Sequence, residues 1–183
     1  MAGASGYIGG RLVPFLLESG YRVRCLARSP KKLKDRGWAS EPKVEIVAGD
    51  LVNTETLGKQ MLGCGAAYHL AHSMVVRRES QTTQDEELAY CFAQAAARAG
   101  CERVIYLGGL AEAREHASAR LRSRTEVEAA LRSGPTPVTV LRAGTIIGAG
   151  SASFEILRYL VEQQSAGMDG LPSLARPSPV AVR

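Results

Sequence analysis

An α/β fold with a doubly wound parallel sheet is what this sequence predicts. Three observations carry that expectation: strand-like and helix-like segments alternate along the chain, a glycine-rich turn stands directly before the first helical pattern, and the 183 residues are 45% hydrophobic and 22% charged. Such a composition excludes a collagen, a disordered tail and a disulfide-stapled miniprotein. A chain of this length removes roughly 70% of its unfolded surface from water, enough for one core and marginal for two. One domain is expected.

In chain order the first element is helical. Ile8, Leu12, Leu16 and Leu17 share one face, Gly20 follows as a C′ residue, and Pro14 inside the pattern predicts a kink. Five short apolar segments, at residues 22–27, 44–48, 66–71, 103–107 and 137–142, read as strands. Helical patterns separate or follow them at residues 54–62, 85–98, 118–132 and 152–164, with Asp85 expected as an N-cap and Gly100 and Gly134 as stops. The last stretch, residues 165–183, is rich in Gly, Ser and Pro and is expected to be an irregular tail, leaving residues 1–164 as the domain. At the other end, a doubly wound sheet begins with a strand that leads into its glycine loop, yet only Met1 and Ala2 precede Gly3. The first strand is expected to be largely missing from the sheet.

The longest apolar runs are far shorter than the ~20 residues that span a bilayer, and no signal-peptide pattern opens the chain. No membrane span and a cytoplasmic location are expected. Cys25, Cys64, Cys91 and Cys101 lie far apart without CxxC pairing and read as reduced, mostly buried thiols. The formal charge of +5 is unevenly spread: residues 1–45 hold nine basic against four acidic groups, and the rest of the chain carries fourteen of each. This favours a local anion site over a general nucleic-acid surface, the plain alternative being a solvated basic face.

The sequence GASGYIG at residues 3–9 gives that anion site a location. Gly3 permits a tight turn, Gly6 lets backbone approach a pyrophosphate and Gly9 allows close packing; free N–H groups at the helix start favour the anion, with Ser5, Tyr7 and Ile8 completing the cradle. Alone, such a motif can be only a turn. About 20 residues further on, however, the strand at 22–27 ends where a ribose-reading residue belongs, and Arg28 follows. An acidic residue there would accept from a 2′-hydroxyl and repel a 2′-phosphate, whereas a guanidinium does the opposite, so NADP(H) is favoured and NAD(H) remains possible. Asp50, in the turn after the next strand, is placed to bond an adenine amino group and Leu51 to cover the ring.

These blocks together resemble the atypical short-chain dehydrogenase/reductases, the NmrA-like NAD(P)H-binding and epimerase/dehydratase-like proteins, from Gly3 to about Gln164. The resemblance rests on GASGYIG, CLARSP, AGDL at residues 48–51, AYHLAHSM at 67–74, RVIYLGGL at 103–110 and LRAGTIIGAGSASFEILRYLVE at 141–162. It implies a Rossmann-like fold with helices on both faces and a central first strand. It also implies that Tyr68, Leu70, Ala71, His72 and Ser73 lie where the chain passes the nicotinamide side, and that Gly108 and Gly109 end a strand beside the cofactor.

Ordinary family members place a serine near that glycine pair and a Tyr-x-x-x-Lys pair on the next helix. Here the matching positions are Arg120 and Arg124. Arg124 can orient a ribose, but a guanidinium is a poor general acid. His72 is left as the candidate acid, and His72 and Arg124 are the catalytic candidates. No metal is expected: His69 and His72 are three apart on a strand and point to opposite faces. Phe154, Leu157, Leu160 and Val161 form an apolar helical stripe suited to core or domain contact. Two functions stay open, an oxidoreductase acting on a small organic substrate and a non-catalytic NAD(P)H-responsive sensor or assembly module, and a third possibility is a fragment of a longer protein. Substrate and oligomeric state are not legible.

Overall fold

A computed structural model describes residues 1–71, 80–110, 119–144 and 146–166. The chain divides into two compact units, Met1–Gly144 and Thr145–Arg183.

In the first unit, β1 (Val23–Ala27) and β2 (Val44–Ala48) pair in parallel from Val23↔Val44 to Ala27↔Ala48. A second parallel set runs in the order β3 (Ala66–His69), β4 (Arg103–Gly109), β5 (Val138–Ala143). Ala2 joins the two sets, bridging in parallel to Leu26 on one side and to His69 on the other. Its N–H donates to the Tyr68 carbonyl at 2.9 Å, its carbonyl accepts from Leu70 N at 3.0 Å, and the Met1 carbonyl accepts from Leu26 N at 2.9 Å. The central strand position is therefore held by Met1 and Ala2, as the short lead-in to the glycine loop predicts.

Helices cover both faces. On one side α1 (Tyr7–Glu18) and the short α2 (Lys31–Lys34) close a core of Ala4, Val13, Val23, Cys25, Leu33 and Trp38. On the other, α3 (Thr54–Met61), α4 (Ser80–Arg98) and α5 (Ala119–Arg132) accompany a larger core that includes Leu57, Phe92, Val104, Tyr106, Val127 and Leu131. Burying such side chains contributes roughly 1.5–3 kcal/mol each, so these two apolar layers hold the sheet between them.

Several boundaries differ from the sequence reading. Strand β3 ends at His69 rather than at residue 71, although Leu70 still bonds Ala2. Strand β4 runs on through Gly108 and Gly109, which pair with Arg142 and Ala143. Asp85 is not an N-cap: α4 already begins at Ser80, because the residues before Asp85 include neither Gly nor Pro to stop it. Helix α1 continues through Pro14. A proline at this position has no N–H for the carbonyl four residues earlier. That carbonyl, on Gly10, accepts instead from the Trp38 indole Nε1 at 3.0 Å.

The second unit contains α6 (Ala152–Ala166). Ser151 Oγ accepts from Phe154 N at 3.1 Å, and Glu155 pairs with Arg158 at 2.8 Å. Leu157, Leu160 and Val161, expected to cover a core or domain surface, are exposed. The expected irregular tail lies outside the described residues from residue 167 onward. Among the described residues no helix is long and apolar enough to cross a membrane.

Candidate dinucleotide site

Backbone geometry shapes the loop between Ala2 and α1. Gly3 has φ +91°, and a Cβ there would come within 2.6 Å of the Leu70 carbonyl group and 2.8 Å of Ala71 N. The turn and its close approach to the end of β3 both require glycine. A Cβ on Gly9 would collide with the Gly3 carbonyl oxygen and lie 2.7 Å from Ala4 Cα, so the start of α1 can pack on the loop only without a side chain. Gly6 differs. It is exposed, and a Cβ there would meet only the Gly3 oxygen, at 3.3 Å.

Gly6 is also the N-cap of α1 and supplies no side-chain cap. The first N–H groups of this helix, beginning at Tyr7 and Ile8, thus lack the satisfaction that Ser, Asp or Asn would provide. Gly10 N is already engaged with the Gly6 carbonyl at 2.9 Å, and Gly6 N with that of Gly3 at 3.0 Å. Ser5 is exposed at the tip, its carbonyl accepting from Arg36 Nη2 at 2.9 Å. Open backbone donors, a helix dipole and a side-chain-free cradle fit a pyrophosphate.

Arg28 directly follows β1, is exposed and has no ion pair among the described residues. The Ala27 carbonyl before it accepts from Gly49 N at 3.1 Å, which brings the turns after β1 and β2 together. In the second turn Asp50 is exposed and its Oδ1 accepts from Leu51 N at 2.7 Å. Leu51 is buried in the larger core, so its side chain backs the turn. Gln60 Nε2 donates to the Ala48 carbonyl at 2.6 Å and, with Leu26, fills the space a Cβ on Gly49 would need.

Across the sheet, Leu70 and Ala71 border Gly3, and Gly108 is buried, a Cβ there meeting Tyr106 Cε1 at 3.2 Å and Val140 Cγ1 at 3.4 Å. His72 and Ser73 lie outside the described residues. His69 is enclosed, edge-on to Phe92 at 4.9 Å and to Tyr106 at 5.9 Å between ring centroids. Arg124 lies on α5, and its carbonyl accepts from the Tyr106 hydroxyl at 3.3 Å. Burial pushes the Tyr106 phenol up to about 12, the Arg124 charge opposing the shift. Through its bond to the Arg124 carbonyl the buried phenol ties β4 to α5. Glu128, on the same helix, would be raised by burial, but hydrogen bonds from Arg142 and Arg132 outweigh this and hold its carboxyl below the ordinary range.

Arg36 and Trp38 were not singled out by the sequence as loop residues. Their signal is faint. The proline inside α1 requires an outside donor for Gly10, and no spacing rule says that residue 38 supplies it.

A doubly wound sheet with this loop at the end of its central strand position defines a dinucleotide-binding Rossmann-like protein. The profile of the NAD(P)H-binding family matches residues 3–162, and the chain belongs to that family. It is an atypical short-chain dehydrogenase/reductase of the NmrA-like kind, as its sequence blocks imply. A ceramide reductase of Caulobacter vibrioides is 29% identical over 183 residues, which is 100% of this chain and 55% of that protein. A putative dihydroflavonol 4-reductase of Synechocystis is 30% identical over 118 residues, covering 61% of this chain and 32% of the relative. Among solved structures, the triphenylmethane reductase of Citrobacter superposes with TM-score 0.65 at 25% identity, over 88% of this chain and 53% of the other. Bordetella bronchiseptica WbmH in complex with NAD+ gives TM-score 0.71 at 20% identity, over 91% and 61%. The chain thus spans roughly a third to just over half the length of these two curated relatives.

Proposed function

We propose that this chain is the NADP(H)-preferring domain of a cytosolic oxidoreductase that acts on a small organic substrate. The observation that carries the cofactor choice is Arg28, exposed and without an ion pair among the described residues, immediately after β1. In this reading Gly3, Ser5, Gly6, Tyr7, Ile8 and Gly9 hold the pyrophosphate, Arg28 the 2′-phosphate and Asp50 the adenine, while Leu70, Ala71, His72 and Gly108 border the nicotinamide; Leu51, expected to cover the adenine ring, is instead buried in the core and backs the Asp50 turn. When bound, the cofactor supplies or accepts hydride. The chain's own part is to orient it: backbone donors fix the phosphates, Arg124 steadies a ribose, and His72 donates the proton. Reductase relatives and the family match support the class of reaction; the substrate is left open.

One observation favours a second reading, a cofactor-binding module without catalysis. The positions matching the family's Tyr-x-x-x-Lys pair are Arg120 and Arg124, so the usual proton-donating phenol is absent, and a positioned acid contributes about 10²–10⁴-fold in rate. NADPH oxidation across a panel of ketones and aldehydes from pH 5 to 9 separates the two. Turnover that falls as pH rises through the ordinary histidine range, ~6.5, and that is lost in His72→Ala, supports the enzyme. Tight binding with no turnover supports the module. Brisk turnover indifferent to His72→Ala contradicts the assignment of the acid.

A further inference from the structure

Helices α3 and α4 end in matching turns. Each is followed by a glycine of positive φ, Gly63 at +77° and Gly100 at +72°, and each glycine by a cysteine, Cys64 and Cys101, two residues before a strand. The strands so reached, β3 and β4, are parallel neighbours whose first residues pair, Ala66 with Arg103. Stepping back two residues on each side sets Cys64 opposite Cys101. The main chains are still joined at this level, since Glu102 N donates to the Gly65 carbonyl at 2.8 Å.

Adjacent strands lie about 4.8 Å apart, within the roughly 4.4–6.8 Å between Cα atoms that a disulfide joins. In-register residues of parallel strands face the same way. Accordingly Cys101 is buried in the larger core and half-buried Cys64 packs against that same core. Both thiols are free. The remaining two cysteines are placed elsewhere: Cys25 is buried in the opposite core, and Cys91 is within α4.

The two thiols have different surroundings. Arg24 donates from Nη1 to Cys64 Sγ at 3.8 Å, while also binding the Gln60 and Leu62 carbonyls at 2.8 and 2.9 Å. Cys64 thus stands half-buried with a guanidinium at its sulfur. Burial pushes the Cys101 thiol up, with Cys64 adding to the effect.

We propose that Cys64 and Cys101 are a peroxide-sensitive thiol pair, Cys64 being the site of oxidation and Cys101 the residue that resolves it. The Cys64 thiolate attacks one oxygen of a hydroperoxide, the O–O bond breaks, and the departing oxygen leaves protonated; Cys64 becomes a sulfenic acid. The Cys101 sulfur then attacks the Cys64 sulfur, the S–O bond breaks, and water leaves with the Cys101 proton. Overall two thiols are oxidised to one disulfide and the peroxide is reduced. This rests on strand register and is independent of the proposed cofactor preference.

Trypsin separates the four cysteines, placing Cys25 in residues 25–28, Cys64 in 60–77, Cys91 in 79–98 and Cys101 in 99–103. The reduced full chain is treated with hydrogen peroxide at equal concentration, its free thiols are alkylated, and the digest is mapped without reductant. The expected product joins peptide 60–77 to 99–103. In Cys101→Ser, Cys64 is expected to be trapped as a sulfenic acid by dimedone; in Cys64→Ser, Cys101 stays a free thiol. NADPH affinity should change by less than about twofold on oxidation, because the pair lies at the strand ends opposite the glycine loop. Should a variant fail to fold, the map of the unmodified chain decides by itself. Links to 25–28 or 79–98 in equal yield, or over-oxidation of Cys64 with no link to Cys101, would overturn the proposal.

Discussion

In the half of the sheet around β1 and β2, main-chain atoms shape the candidate site: the Gly3 turn, the uncapped start of α1, and the Gly49 N–H on the Ala27 carbonyl. In the β3–β4–β5 half the proposed catalytic positions depend on side chains, and those that the family resemblance matches to a Tyr-x-x-x-Lys pair are Arg120 and Arg124. At Gly3 and Gly9 of the first half a single methyl group would collide with backbone. The second keeps its architecture through contacts such as Tyr106 on Arg124, whatever stands at the family's catalytic positions.

The largest effect should come from Gly9→Ala. Its Cβ meets immovable main chain at Gly3 and Ala4, and overpacking of this kind costs about 1–3 kcal/mol or more, so both thermal stability and nucleotide binding should drop sharply. Gly6→Ala sharpens the contrast, since its lone 3.3 Å contact predicts a near-normal melt with weakened nucleotide binding. If the two variants melt alike, the loop is not built as described.

Next in size is the effect of lengthening the central strand. Between β1 and β3, Met1 and Ala2 bond Arg24 and Leu26 on one side and Tyr68 and Leu70 on the other. Adding about six to eight mostly Val, Ile and Leu residues upstream, a usual strand length, should raise Tm by roughly 5–10 °C. An unchanged midpoint with monomeric behaviour in both chains would show that the sheet does not need those residues.

Trp38→Phe removes the donor that satisfies Gly10 while leaving most of the ring, and an abandoned carbonyl costs about 1–3 kcal/mol. A denaturant titration should report that loss with an unchanged m-value. The same change in a Pro14→Ala background should cost less, because residue 14 then supplies the N–H.

The smallest effect belongs to Glu128. Its carboxyl is lowered in the folded state, so its contribution is present above the ordinary value of 4.5 and is lost as pH falls through the folded value. Arg132 and Arg142 are each about half exposed, which limits the stabilisation to roughly 0.2–1 kcal/mol. Glu128→Gln should therefore lower Tm slightly at pH 7, and the gap should close as pH drops below the carboxylate range.

Much of this was legible in the sequence because local rules sufficed. Glycine spacing locates the loop, alternation gives the five described strands to within a few residues, and the loop position puts Met1 and Ala2 between β1 and β3. What the sequence hides depends on distant partners. Trp38 and Arg36 act through Gly10 and Ser5, more than twenty-five residues away. The start of α4 is hidden because Asp85 has cap chemistry but no helix end to cap, and the four-residue α2 has no periodicity to read. The proposed catalytic positions are illegible for a different reason: an arginine where the family resemblance expects a phenol removes the motif without indicating a substitute.

The central claim is that the basic segment after β1 selects a phosphorylated dinucleotide. The direct measurement is a fluorescence titration of the purified chain with NADPH and NADH, repeated with Arg28→Asp and at raised salt. A charge-assisted contact worth about 1.5–3 kcal/mol predicts a roughly ten- to hundredfold preference for NADPH that weakens with salt and is abolished or reversed by the substitution. Equal affinity for the two nucleotides in the unmodified chain would contradict it.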